Sequence, residues 1–97
     1  MADLKSTLSN ASPEAGLSPP IAALWWAAKG DWDQAHRIVQ DESDASSAWV
    51  HAYLQRVEGD LSNAGYWYRK AGKPVAKDSL DAEWERIVDE LQQGSKA

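Results

Sequence analysis

The sequence predicts an all-α domain of five helices, and three features carry that prediction. Apolar residues recur at helical spacing, most densely in Trp49, Val50, Tyr53, Leu54 and Val57. Two Gly-Asp corners, Gly30-Asp31 and Gly59-Asp60, stand 29 residues apart, and each can end one helix and start the next. A final seam of Leu80, Trp84, Ile87, Val88 and Leu91 is flanked by acids, as on an amphipathic helix lying on a core. The expected arrangement is two antiparallel helical hairpins, 19–40 and 47–72, with a capping helix over 79–93.

A chain of 97 residues has room for one modest core. Residues 1–17 read as a loose lead-in and 18–97 as one helical domain. Six tryptophans and no phenylalanine fill that core. A fully buried tryptophan contributes up to about 4–6 kcal/mol by area, so core packing is the first role for most of them. The net charge of −5 disfavours nucleic acid and anionic membranes as partners. Without cysteine there is no disulfide, thiol nucleophile or thiolate metal site. No apolar run is long enough to cross a bilayer, and the N-terminal residues lack a signal-peptide pattern, so the expected compartment is the cytoplasm.

Each element has its local cause. The lead-in has Leu4, Leu8 and Leu17 as its only sizeable apolar residues, enough for one helical turn around Leu4–Leu8 that docks on the body. Ser18-Pro19-Pro20 starts helix 1 (19–29), with serine as N-cap and proline in the first turn, where a missing N–H costs nothing. Gly30 ends it, and Asp31 with Gln34 caps helix 2 (32–40), which turns Trp32, Ala35 and Val39 to one face with His36 at its edge. A polar loop over 41–46 leads to helix 3 (47–58), whose apolar surface is too broad to face a single neighbour. Gly59 and Asp60 restart the chain as helix 4 (61–71), expected to bury Leu61, Ala64, Tyr68 and Ala71, with Trp67 flanking and Tyr66 pointing away. Gly72-Lys73-Pro74 stops it. Asp78 or Ser79 then caps helix 5, whose seam is surrounded by Asp81, Glu83, Glu85, Asp89 and Glu90.

The two hairpins are copies. Shifted by 29 residues, Ala23 falls on Ala52, Gly30 on Gly59, Asp31 on Asp60, Trp32 on Leu61, Ala35 on Ala64 and Val39 on Tyr68. The alanines on either side of each corner let paired helices approach closely. The places Ala52, Gly59, Asp60, Leu61, Ala64, Tyr68 and Ala71, with Pro74 after them, resemble the tetratricopeptide-like helical hairpin repeat. The first copy follows the pattern at six of these positions and carries Glu42 where a second alanine would stand. The strings LWWAAKGDWDQAH and WVHAYLQRVEGDLSNAGYWYRKAG also resemble a group of small bacterial proteins of no assigned activity. The resemblance implies a right-handed α-α stack and a protein- or peptide-binding role. It also implies that the first helix of each hairpin lines the binding face, which here selects Trp49, Tyr53 and Arg56, with Leu24 from the first copy. Two aromatics beside an arginine have the composition of a binding hot spot. The plainer reading is that Trp49 and Tyr53 pack against helix 5.

Other chemistry is weaker. His36 and His51 are the only histidines, and Asp41, Glu42 and Asp44 lie between them, but the spacing matches no metal-ligand motif. Serines sit at caps and in loops, and no glycine-rich phosphate loop exists. Arg69, Lys70, Lys73 and Lys77 beside Tyr66 and Trp67 could stack a single-stranded nucleic acid. More simply, the basic residues complement the end of helix 4 and pair with acids of helix 5. The expectation is therefore a non-catalytic binding module with no cofactor, no metal, no nucleic-acid partner and no membrane contact. A homodimer through the broad face of helix 3 is left open. The alternative is a small enzyme or metal-binding protein that uses His36 and His51.

Overall fold

The structure, a computed structural model, describes residues 4–13 and 15–94; residues 1–3, 14 and 95–97, parts of the predicted lead-in and of the end of the predicted domain, lie outside the described residues. Five α-helices carry the chain: α1 (Pro19–Ala28), α2 (Trp32–Val39), α3 (Ala45–Glu58), α4 (Leu61–Ala71) and α5 (Leu80–Gly94). A 3-10 turn, Leu4–Thr7, precedes them, and the described residues contain no strand.

The corners repeat bond for bond. Gly30 and Gly59 adopt φ of +85° and +87°, a left-handed conformation open to glycine at little cost. Gly30 N–H donates to Ala27 O and Asp31 N–H to Trp26 O, both at 3.0 Å; Gly59 to Arg56 O and Asp60 to Gln55 O do the same at the same distances. Each aspartate then caps the following helix, Asp31 accepting from Gln34 N–H at 3.1 Å and Asp60 from Asn63 N–H at 3.3 Å. Ser79 Oγ caps α5 by accepting from Ala82 N–H at 3.1 Å. Helix α3 begins earlier than expected, at Ala45, because Asp44 accepts from Ser47 N–H at 3.1 Å and outcompetes the serines that follow it as N-cap.

Helix α1 folds back on α2, and α3 on α4. The alanines expected at the close approaches, Ala23, Ala35, Ala52 and Ala64, are all buried. Helix α3 is the centre of the molecule and touches the four others, which is why its apolar residues go nearly all the way round. Helix α5 lies across α1 and α3, inserts Trp84, Ile87 and Val88 into the core, and donates a hydrogen bond from Trp84 Nε1 to Leu24 O at 2.8 Å.

One packing expectation needs correction. Leu61 is 68% exposed, not buried, because none of the described residues stacks on the outer side of α4's first turn. The turn expected around Leu4–Leu8 does dock on the body: Leu4 is buried, Trp25 Nε1 donates to Thr7 Oγ1 at 3.0 Å, and Lys29 donates to the carbonyls of Leu8 and Asn10.

Candidate functional site

The four residues expected to line a binding face are taken up by contacts within the chain. Leu24 is fully buried, Trp49 and Tyr53 are nearly so, and Arg56 is held in an ion pair with α5. The expectation of an exposed Trp49/Tyr53/Arg56 surface is thus corrected: α5 covers the face made by α1 and α3. The physical reason lies on α5. Besides its apolar seam it carries Glu83, completely buried, which accepts from Arg56 Nη1 at 2.8 Å and from the hydroxyl of Tyr68. Arg56 also donates to the carbonyl of Asp78, so one guanidinium fixes both the helix and its lead-in. Burial, reinforced by the nearby Glu83 carboxylate, pushes the Tyr53 phenol up to about 12 and raises that of Tyr68 as well. Sequence spacing could have found Glu83: it lies three residues after Leu80 and four before Ile87, on the seam itself.

A second cluster joins the hairpins. His36 of α2 and His51 of α3 meet Nε2 to Nε2 at 3.1 Å, with their rings nearly perpendicular. Each imidazole is backed by a tryptophan: Trp32 stacks on His36 with centroids 4.7 Å apart, and Trp67 on His51 at 3.9 Å. Trp32 is itself anchored, Nε1 donating to Leu54 O at 2.7 Å, and Lys70 lies over the Trp67 ring at 5.5 Å. Burial, with the neighbouring His36 adding to it, holds His51 at about 4, so its ring is neutral near pH 7. His51 Nδ1 is buried without a hydrogen-bond partner among the described residues. The acids of the 41–44 loop do not join the pair: among the described residues no group of three or more His, Cys, Asp or Glu side chains could hold a metal together.

The remaining surface offers less. A cleft of about 590 Å³ between the starts of α1 and α3 and the end of α5 is lined by Pro19, Asp44, Ser46 and Glu90 among others, but Asp44 is engaged as a cap and Glu90 pairs with Lys73. Lys73 also lies 4.2 Å from the Trp49 ring centroid, closing that tryptophan off from solvent. Among the described residues no helix is long and apolar enough to cross a membrane.

The repeat register picks out one more place. In the first hairpin, Trp32 and His36 face the second hairpin and are covered by α3 through Leu54 and His51. Their counterparts 29 residues on are Leu61 and Gly65 of α4. Among the described residues no helix packs over Leu61, which stands exposed. Gly65 leaves an open spot beside it, where an added Cβ would meet only Arg69 Nη1, at 3.8 Å. Exposed Val57 lies just across the Gly59 corner. No protein family, curated protein or solved structure matches the chain.

Proposed function

We propose that this chain is a tetratricopeptide-like, non-catalytic module that binds a protein or peptide partner, and that it does so at the open end of its second hairpin. The observation that carries the reading is the repeat register. Trp32 and His36 make the contact through which the first hairpin stacks on the next helix, and at the matching places Leu61 is exposed and Gly65 has only Arg69 Nη1 near it. A helix is the partner shape this favours, since a helix covers the equivalent place in the first copy. The inner face is a poorer choice, because α5 already fills it with buried aromatic, aliphatic and ion-paired side chains.

Capture from a lysate of the source organism, read by mass spectrometry, tests this with wild type and Leu61→Asp side by side. Leu61 is solvent-exposed, so the substitution is expected to change stability by no more than about 0.5 kcal/mol, which a thermal melt verifies. A partner held by wild type and lost by the folded variant supports the reading. A partner held equally by both removes Leu61 from the site, and failure of wild type to capture anything removes the module's lead over other functions.

A further inference from the structure

We propose that His36 and His51 together form a two-imidazole site for a late first-row divalent transition ion, copper(II) foremost, at the seam between the two hairpins. The inference is independent of the open end of α4.

The geometry comes first. The only two histidines of the chain sit on different helices of different hairpins, yet their Nε2 atoms converge to 3.1 Å. Adjacent nitrogen ligands on one ion, with bonds of about 2.0–2.1 Å, stand about 2.9–3.4 Å apart between square-planar and tetrahedral arrangements. The ring centroids are 4.7 Å apart, closer than a collinear N–H···N bond of that length would put them. The imidazoles therefore meet at an angle, a compromise for a hydrogen bond and suitable for a shared third atom.

Preorganisation comes second. Stacking on Trp32 and Trp67 holds both rings, and the Trp32 bond to Leu54 O holds one of those tryptophans in turn. A site fixed in this way loses little entropy on binding. His36 is only half-buried, so the pair lies at the edge of the core, and a bound ion would take its remaining ligands from water. Imidazole without thiolate or carboxylate suits copper, nickel and zinc, and among these copper(II) binds most tightly by the general order of divalent affinities. With only two protein ligands, binding follows that order: copper strongest, nickel and zinc weaker.

The test uses the full chain, stripped with a chelator and titrated with copper(II) chloride at neutral pH. Trp32 and Trp67 contact the ligand rings, so tryptophan emission should fall and level off at one equivalent. Electron paramagnetic resonance of the one-equivalent sample should show splitting from two nitrogens. His36→Gln, at the half-buried position, should weaken the titration at least tenfold, and His36→Gln/His51→Gln should abolish it. The resonance readout on wild type keeps the test decisive if the double variant unfolds. Quenching of equal strength in folded His36→Gln, a spectrum without two nitrogens, or no saturation near one equivalent would each overturn the proposal, the first two by placing the ion away from the histidine pair.

Discussion

Arg56 of α3 and Glu83 of α5 meet at 2.8 Å, and Glu83 has no exposure to solvent at all. A carboxylate so placed is stable only while its partners remain, because the lost hydration must be offset by the guanidinium and the Tyr68 hydroxyl. Arg56→Ala is therefore expected to destabilise the fold by about 3–5 kcal/mol, a large share of a small domain's total. Urea unfolding measures it. The surface pair Lys5–Glu85, with both side chains about half exposed, is the internal control: Glu85→Ala should change stability by no more than about 1 kcal/mol. Equal effects of the two substitutions would mean that Glu83 is not the buried anchor of α5.

Alkali should unfold the protein through its tyrosines. Burial raises Tyr53 from its usual value near 10 to about 12, and Tyr68 is raised too. The folded state thus keeps these phenols neutral while the unfolded chain ionises near pH 10. The stability they contribute is complete below pH 10 and is lost as pH rises toward 12, amounting to about 3 kcal/mol for Tyr53 alone. In Tyr66→Phe only Tyr53 and Tyr68 remain, and their tyrosinate absorbance should appear together with loss of helical circular dichroism. Absorbance that rises at pH 10 with helicity intact would contradict the burial of both.

Asp44 sets the start of α3 by accepting from Ser47 N–H at 3.1 Å. Asp44→Ala should cost about 1 kcal/mol, which lowers the melting temperature by about 4–8 °C in a domain of this size. A drop no larger than that of an exposed loop substitution such as Ser43→Ala would show that the serines after Asp44 can take over the cap.

Gly65 and Gly59 should respond in opposite directions to alanine. At Gly65, inside α4, a methyl group meets only Arg69 Nη1 in ordinary contact, so Gly65→Ala is expected to stabilise by about 0.5–1 kcal/mol. At Gly59, φ of +87° makes alanine strained, and Gly59→Ala should destabilise by about 1 kcal/mol or more. If Gly65 admits a partner's close approach, the more stable Gly65→Ala chain captures that partner less well. Thermal melts and the capture experiment read both effects.

The helices and their ends could be read from the sequence because they depend on neighbours within a few residues. Gly30 and Gly59 take left-handed conformations and Asp31 and Asp60 make the capping bonds whatever lies elsewhere in the chain. The breadth of apolar residues on α3 fits either a helix sandwiched between others or one that offers surface to a partner, and its contacts with all four other helices favour the first. Side-chain fates decided at long range were less legible. Glu83 stands among the acids around the seam of helix 5 and its spacing places it on the seam, but its burial depends on Arg56 and Tyr68, which lie far away in the chain. Trp49, Tyr53 and Leu24 carry a binding-face pattern equally suited to an internal helix, and α5 took that place. The convergence of His36 and His51 depends on how the two hairpins rotate against each other, which no local spacing encodes. Leu61 shows the reverse case: its repeat position predicted burial, but the neighbour that partly covers Trp32 in the first copy has no equivalent over Leu61 among the described residues.

The most direct measurement of the central claim is hydrogen exchange on the captured complex, compared with the free chain. Binding at the open end predicts slower exchange at the first-turn amides of α4, Leu61 to Ala64, with the amides of α5 unchanged. Faster exchange along α5, Leu80 to Leu91, with no change at α4 would contradict it, because it would mean that the partner displaces α5 from the inner face instead.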